Sequence, residues 1–296
     1  MHPAPADAGG TVAVKEVWIA TEAELASLRA PAGVRQMLEV RLSLQRPGCD
    51  PTTGLPPLEQ RVLQAPPGEL LALGAASASS AKLRLELDYQ LQIPAEAPGN
   101  VLNAQRFLAE GRQLFFLPAS LGEVGTETLV AIDASAYGSD GRAVSSIGIG
   151  AERRAPMTAR AIEEGAFAAG YLGSAVFQAP EGQDEMAWFG STLFDPRPLA
   201  AEIASFRSAV RERLNDHWEA PLTTILSVEP QLPAFYVRRA PASVVLRIAP
   251  GQVLSAQLRL SILHQVLKEW IGGRVALGVL RLSRSAGAGA RSLARR

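Results

Sequence analysis

The stretch "KLRLELDYQLQIP", residues 82–94, decides the architecture of the first half of this chain. Leu83, Leu85, Leu87, Tyr89, Leu91 and Ile93 fall on one side, and Lys82, Arg84, Glu86, Asp88, Gln90 and Gln92 on the other. Unbroken period-two alternation is the signature of a long β-strand with one buried and one wet face. "LEVRLSL" repeats it, setting Val40, Leu42 and Leu44 against Glu39, Arg41 and Ser43. "RQLFFLP", "TLVAIDA", "SSIGIGA", "AGYLGSAVF" and "EMAWFGS" are further strand candidates, punctuated by turn-forming "APGN", "YGSDGR" and "APEGQD". Many strands and few helices predict an antiparallel sandwich or saddle reaching to residue 192.

The period then changes. In "FDPRPLAAEIASFRSAVRERL", Leu199, Ile203, Phe206, Val210 and Leu214 recur at helical spacing behind Asp195, Pro196 and Pro198, which fit a helix start; Asn215 and Asp216 follow its end. Two strands, "TTILSVE" and "SVVLRIAPG", lead to a second helix over about residues 253–270. There Leu260, Leu263, Leu267 and Trp270, widened by Ile262 and Val266, predict a helix buried on most sides. Gly272 and Gly273 are natural terminators. The expected class is α+β: a lead-in with a candidate first strand over residues 1–34, an all-β domain over 35–192, a mixed α/β unit over 193–273, and a disordered, arginine-rich tail over 274–296.

Composition narrows the function classes. The 296 residues are 47% hydrophobic and 20% charged, enough apolar side chain for folded cores, with a prior of about two domains. Twenty-nine basic residues balance 29 acidic ones, so no global field favours nucleic acid or an anionic membrane. Residues 270–296 carry six arginines and no acid, which gives weak nucleic-acid binding through the tail at most; the tail also fits a truncated or out-of-frame end. No window approaches 18 uninterrupted apolar residues, so no membrane span is expected. No basic start followed by an apolar run is seen. The chain as written is expected to be soluble and cytoplasmic, or exported if a leader is missing from it. Cys49, the single cysteine, excludes an intrachain disulfide and Cys-rich metal sites, and is read as a loop thiol.

Chemistry-bearing motifs are few. Phosphate-binding and nucleophile-elbow glycine motifs are absent, and "GIGAERR" at 148–154 reads as a strand-end turn. His217 and Trp218 beside Asp216 read as a helix end, with His favoured near the negative end of the dipole. Glu163 with Glu164, and Asp184 with Glu185, are expected to be solvated; neighbours on a strand face opposite sides and make poor acid–base pairs.

The remaining candidate is "LSILHQVLKEWIGGRV", residues 260–275. Two histidines four apart on a helix, with a glutamate after the first, can hold a zinc ion and activate its water. Here His264 occupies the first-ligand place, Gln265 the place of the general base, and Lys268 that of the second imidazole. "ILHQVLKEWIGG" resembles the active-site helix of the gluzincin aminopeptidases, the aminopeptidase N and leukotriene A4 hydrolase type and the related glycyl aminopeptidases, whose run reads H-E-x-x-H-x-W-x-G. His264, Trp270 and Gly272 match in register; Gln265 and Lys268 do not. "FAAGYLGSAVF" and "AWFGSTLFDPRPLAAEIASFR" lean toward the glycyl branch.

The resemblance implies an all-β domain followed by the start of a thermolysin-like α/β domain, over about residues 35–273. It also implies a third zinc ligand, a glutamate about twenty residues past the motif, where this sequence has no carboxylate after Glu269. The amine-recognising glutamate of the aminopeptidase N branch has no counterpart in "AFYVRRAPASVVLRI". The expected protein is therefore a non-catalytic, zinc-less relative or fragment of a gluzincin peptidase, serving as a binding or scaffold module for a peptide or protein, without a cofactor. The alternatives are an active zinc-dependent aminopeptidase-type hydrolase with unrecognised ligands, and a β-sandwich module that binds protein or glycan. On the first reading, His264 and Lys268 should share one side of the helix and point into a cleft.

Overall fold

The computed structural model describes residues 10–45, 59–63, 66–73, 82–94, 96–97, 100–120, 126–179, 182–216, 221–268 and 270–271. Residues 1–9, Cys49, His217, Trp218, Glu269, the Gly272–Gly273 pair and the arginine-rich segment 274–296 lie outside them, as do the expectations attached to them. Among the described residues twenty strands form five sheets, joined by five α-helices. None of these helices is long and apolar enough to cross a membrane.

The outer sheet is built around the alternating stretch. Its order is β1 (Gly10–Thr21), β6 (Lys82–Ile93), β3 (Gln36–Gln45) and β4 (Glu59–Leu63), all antiparallel. Along β6 the even-spaced leucines, Tyr89 and Ile93 are buried, while the polar set faces outward. β3 carries a bulge between Leu38 and Arg41, where Glu39 adopts φ 52; the extra residue sharpens the strand's twist. Residues 10–34 hold three regular elements. They contain the full length of β1, the one-turn helix α1 (Glu22–Leu25) and β2 (Ser27–Arg29). β2 pairs with β5 (Leu70–Ala72) and β10 (Leu117–Pro118) in a small three-stranded sheet.

The central sheet runs β13 (Gly148–Ile149), β12 (Arg142–Ser145), β15 (Ala166–Gly170), β9 (Arg106–Glu110), β8 (Asn100–Leu102) and β7 (Glu96–Ala97). All five residues of β9 and all five of β15 are buried. Phe107, Ala109 and Phe167 join the core under the outer sheet, whereas Leu108, Ala166 and Ala168 join a second core on the opposite face. A two-stranded ribbon, β11 (Thr126–Ala131) with β14 (Glu152–Met157), and α3 (Ala159–Glu164) flank it. "RQLFFLP" is not one strand: α2 (Gly111–Leu114) takes its first half, because Gln113 Oε1 accepts from the Glu110 amide in a capping box.

The third layer is a mixed sheet ordered β16 (Leu172–Ala179), β17 (Gly182–Phe189), β18 (Thr223–Val228), β20 (Ser243–Ile248) and β19 (Phe235–Ala240). β17, β18 and β20 are parallel, and the two edge strands antiparallel. Met186, Leu226, Val244 and Leu246 face α4 (Pro196–Leu214) and α5 (Ala256–Leu267); Ala187, Phe189, Ile225 and Val245 face the central sheet. α4 begins as read: the Asp195 carboxylate accepts from the Arg197 amide at 3.0 Å, and Asn215 ends it in the left-handed region. The sheet itself starts at Leu172, and the period change near 193 marks the first long helix, which follows its first two strands. The fold class is the α+β arrangement expected, with an antiparallel β region followed by a mixed α/β unit.

Candidate functional site

α5 carries the candidate zinc frame. The Ser255 hydroxyl caps its first turn, accepting from the Leu258 amide at 3.2 Å. Leu258, Ile262, Val266 and Trp270, spaced by four, form a narrow buried stripe against the mixed sheet. At about 100° per residue, His264 falls nearly opposite that stripe, with Lys268 beside it. Both are exposed; they share one outer face as the four-residue spacing requires, and that face opens to solvent and not into a cleft. Gln265 is half-buried on the flank, near Arg239 and Ser243. The helix is also less buried than its apolar count predicts, since Leu260 is 68% exposed. A four-residue stripe suffices to dock it, leaving Leu260 on the far side.

The C-terminal end of α5 is pinned from two directions. Arg239 Nη1 donates to the Lys268 carbonyl at 2.8 Å, and Trp270 Nε1 donates to Asp216 Oδ2 at 2.7 Å. Positive charge in the last turn of a helix is favourable against its dipole. A structural zinc or catalytic zinc needs three or four neutral-nitrogen, thiolate or carboxylate donors. Here one imidazole stands beside an ammonium group and a carboxamide. Among the described residues no three His, Cys, Asp or Glu side chains cluster closely enough to hold a metal ion. The residues present do not fit zinc.

The charged groups that are buried lie elsewhere, and local sequence gave little sign of them. Asp184 and Glu185 are not solvated: both are buried in β17, and each points its own way. Asp184 pairs with Arg207 of α4 and accepts from the Leu222 amide at 3.1 Å. Glu185 turns to the central sheet, accepting from the Ile149 amide and from Arg153 Nη2 at 3.1 Å. Glu163 and Glu164 sit on α3, not on a strand, and pair with Arg29 and Arg160.

Further polar ties join the central and mixed sheets. Arg106 Nη2 donates to the Val228 carbonyl, Arg238 meets Glu110 at 3.2 Å, and Ser243 meets Ser146 at 2.8 Å. Glu229 holds Arg247 through both carboxylate oxygens. A sequence clue does exist for one partner: Arg207 and Arg211 are four apart beside the apolar stripe of α4, and both are buried. Among the described residues a shallow depression lies against β19, lined by Glu110, Tyr236, Arg238 and Arg247, with a volume of about 10 Å³. That is room for about one water, so the groups around it act as ties between layers.

No family model matches this chain, and no curated protein matches it by sequence. Among solved structures, an aminopeptidase N family protein from Idiomarina loihiensis is similar, with a TM-score of 0.55 at 13% sequence identity. The likeness covers 88% of this chain and 45% of that one, so this chain spans less than half the length of the protein it is compared with. At this identity the shared property is the fold: the stacked β layers and the α/β unit that ends in α5 follow the arrangement of an aminopeptidase N family protein.

Proposed function

We propose that this chain is a non-catalytic, zinc-less relative of the gluzincin aminopeptidases, acting as a binding or scaffold module for a peptide or protein. The observation that carries the reading is the donor set on α5. His264, Gln265 and Lys268 stand where two imidazoles and a general base would be required, although His264 and Lys268 face solvent and not the cleft that the resemblance leads one to expect. Gln265 offers no carboxylate to accept a proton, and the Lys268 ammonium repels a dication. The polar ties between the central and mixed sheets support the scaffold part of the reading, since they fix the two layers against each other.

The test is hydrolysis of a set of aminoacyl p-nitroanilides by the purified protein, with and without added zinc. The expected result is no release above buffer in either condition. Turnover that rises with zinc and disappears in the His264→Ala variant would contradict the proposal.

A further inference from the structure

Among the described residues, Glu16 on β1 is a buried carboxyl. It is 6% exposed and forms no ion pair among the described residues. Three groups meet its carboxyl: the Phe116 amide donates to Oε1 at 2.8 Å, Trp18 Nε1 donates to Oε2 at 3.0 Å, and the Tyr89 hydroxyl contacts Oε1. The same Tyr89 oxygen lies 2.6 Å from the Leu114 carbonyl. A tyrosine hydroxyl has one proton. If Glu16 were ionised, that proton would face two pure acceptors and one buried contact would go unmade. If Glu16 carries a proton, both contacts are hydrogen bonds: Glu16 donates to Tyr89 Oη, and Tyr89 donates to the Leu114 carbonyl.

We propose that Glu16 is protonated in the folded protein, and that Glu16, Tyr89 and the Leu114 carbonyl form a proton-operated latch. The latch fastens the segment from α2 to β10, residues 111–118, to the outer sheet, and it loosens when Glu16 loses its proton. That segment is the crossing from the central sheet to the small sheet, and it ends in only two ladder pairs, Leu117 with Arg29 and Pro118 with Leu28. The described surroundings supply no cation to offset a buried carboxylate. From β6 the one titratable group is Tyr89; from β1 itself there is the Trp18 indole; from the α2–β10 segment there are the Phe116 amide and the Phe116 ring, edge-on to Tyr89 at 5.0 Å. Arg112 turns away to Glu110 at 2.6 Å. Burial outweighs the Trp18 and Phe116 hydrogen bonds and pushes Glu16 up to about 8.

The test is a carbon-13 titration of side-chain carboxyls in the intact protein, with amide exchange followed at Phe115, Phe116 and Leu117. Glu16 is assigned from the resonance missing in Glu16→Gln, or from the one displaced in Tyr89→Phe should the first variant fold poorly. The expected midpoint is about 8 against an ordinary 4.5, with the three amides losing protection in step. A midpoint in the ordinary carboxylate range overturns the proposal. So does a high midpoint that leaves the Phe116 amide unmoved, since the charge change would then not reach the segment.

Discussion

β6 and β18 each sit inside their sheets, yet β6 alternates buried and exposed residues along its whole length while every residue of β18 is buried. The outer sheet has a core on one side only, so half of its side chains are free to be Lys, Arg, Glu or Gln. The mixed sheet lies between the central sheet and two helices, and both its faces exclude water. One wet face imprints a period on the sequence; two dry faces erase it. The comparison also says where substitutions should matter, because a strand with two dry faces has no tolerant side.

The largest effects are expected where burial and an unreplaceable partner coincide. Trp270→Ala, which empties the site under α5 and removes the indole hydrogen bond to Asp216, should cost about 3–5 kcal/mol. Asp184→Ala, which removes the Asp184 carboxylate from the buried Arg207 guanidinium, should cost a similar amount, about 3–5 kcal/mol. Denaturant midpoints at constant m-value measure both.

Next comes the contrast itself. Ile225→Ala and Leu226→Ala remove neighbours in β18 that face opposite layers, and each should lose about 2–5 kcal/mol. In β6, Leu87→Ala should lose as much, while the adjacent Glu86→Ala should stay within about 0.5 kcal/mol. A tolerated change at Ile225 would mean that the face toward the central sheet is wet, and the comparison would fail.

A pH profile sharpens it further. The folded protein holds the Glu16 proton up to about 8, whereas the unfolded chain releases it near 4.5. Between those values the native state binds the extra proton, so this group's contribution to stability is full below 4.5 and declines as pH rises. It declines by about 1.4 kcal/mol per pH unit at most and levels off above 8. Glu16→Gln should flatten that slope. Wild-type stability that rises from pH 5 to 8, by the margin this slope predicts it to fall, would reverse the sign and reject a raised Glu16. The smallest effects belong to the outer face of α5, where His264→Ala and Lys268→Ala should each change stability by less than about 0.5 kcal/mol.

The same asymmetry explains what could be read in advance. β6 and β3 were legible because their polar sets alternate, and α4 because Asp195, Pro196 and Asn215 mark its ends. "RFLAE" in β9 carried no period, since Phe107 and Leu108 enter different cores. "FYVRRA" in β19 was hidden because Arg238 and Arg239 reach across to Glu110 and to the Lys268 carbonyl instead of alternating outward. The breadth of apolar positions in α5 overstated its burial, as Leu260 shows. That His264 and Lys268 share one face of α5 was readable, because a spacing of four on a helix fixes a shared face whatever surrounds it. The ties through Asp184, Glu185 and Glu229 were not, since each joins residues distant in sequence.

The central claim is that the α5 frame has the spacing of a zinc helix without its donors. Its most direct test is the zinc content of the purified protein by plasma mass spectrometry, after dialysis against buffer holding trace zinc. The account predicts a metal-to-protein ratio near zero; a ratio near one, lowered by His264→Ala, would contradict it.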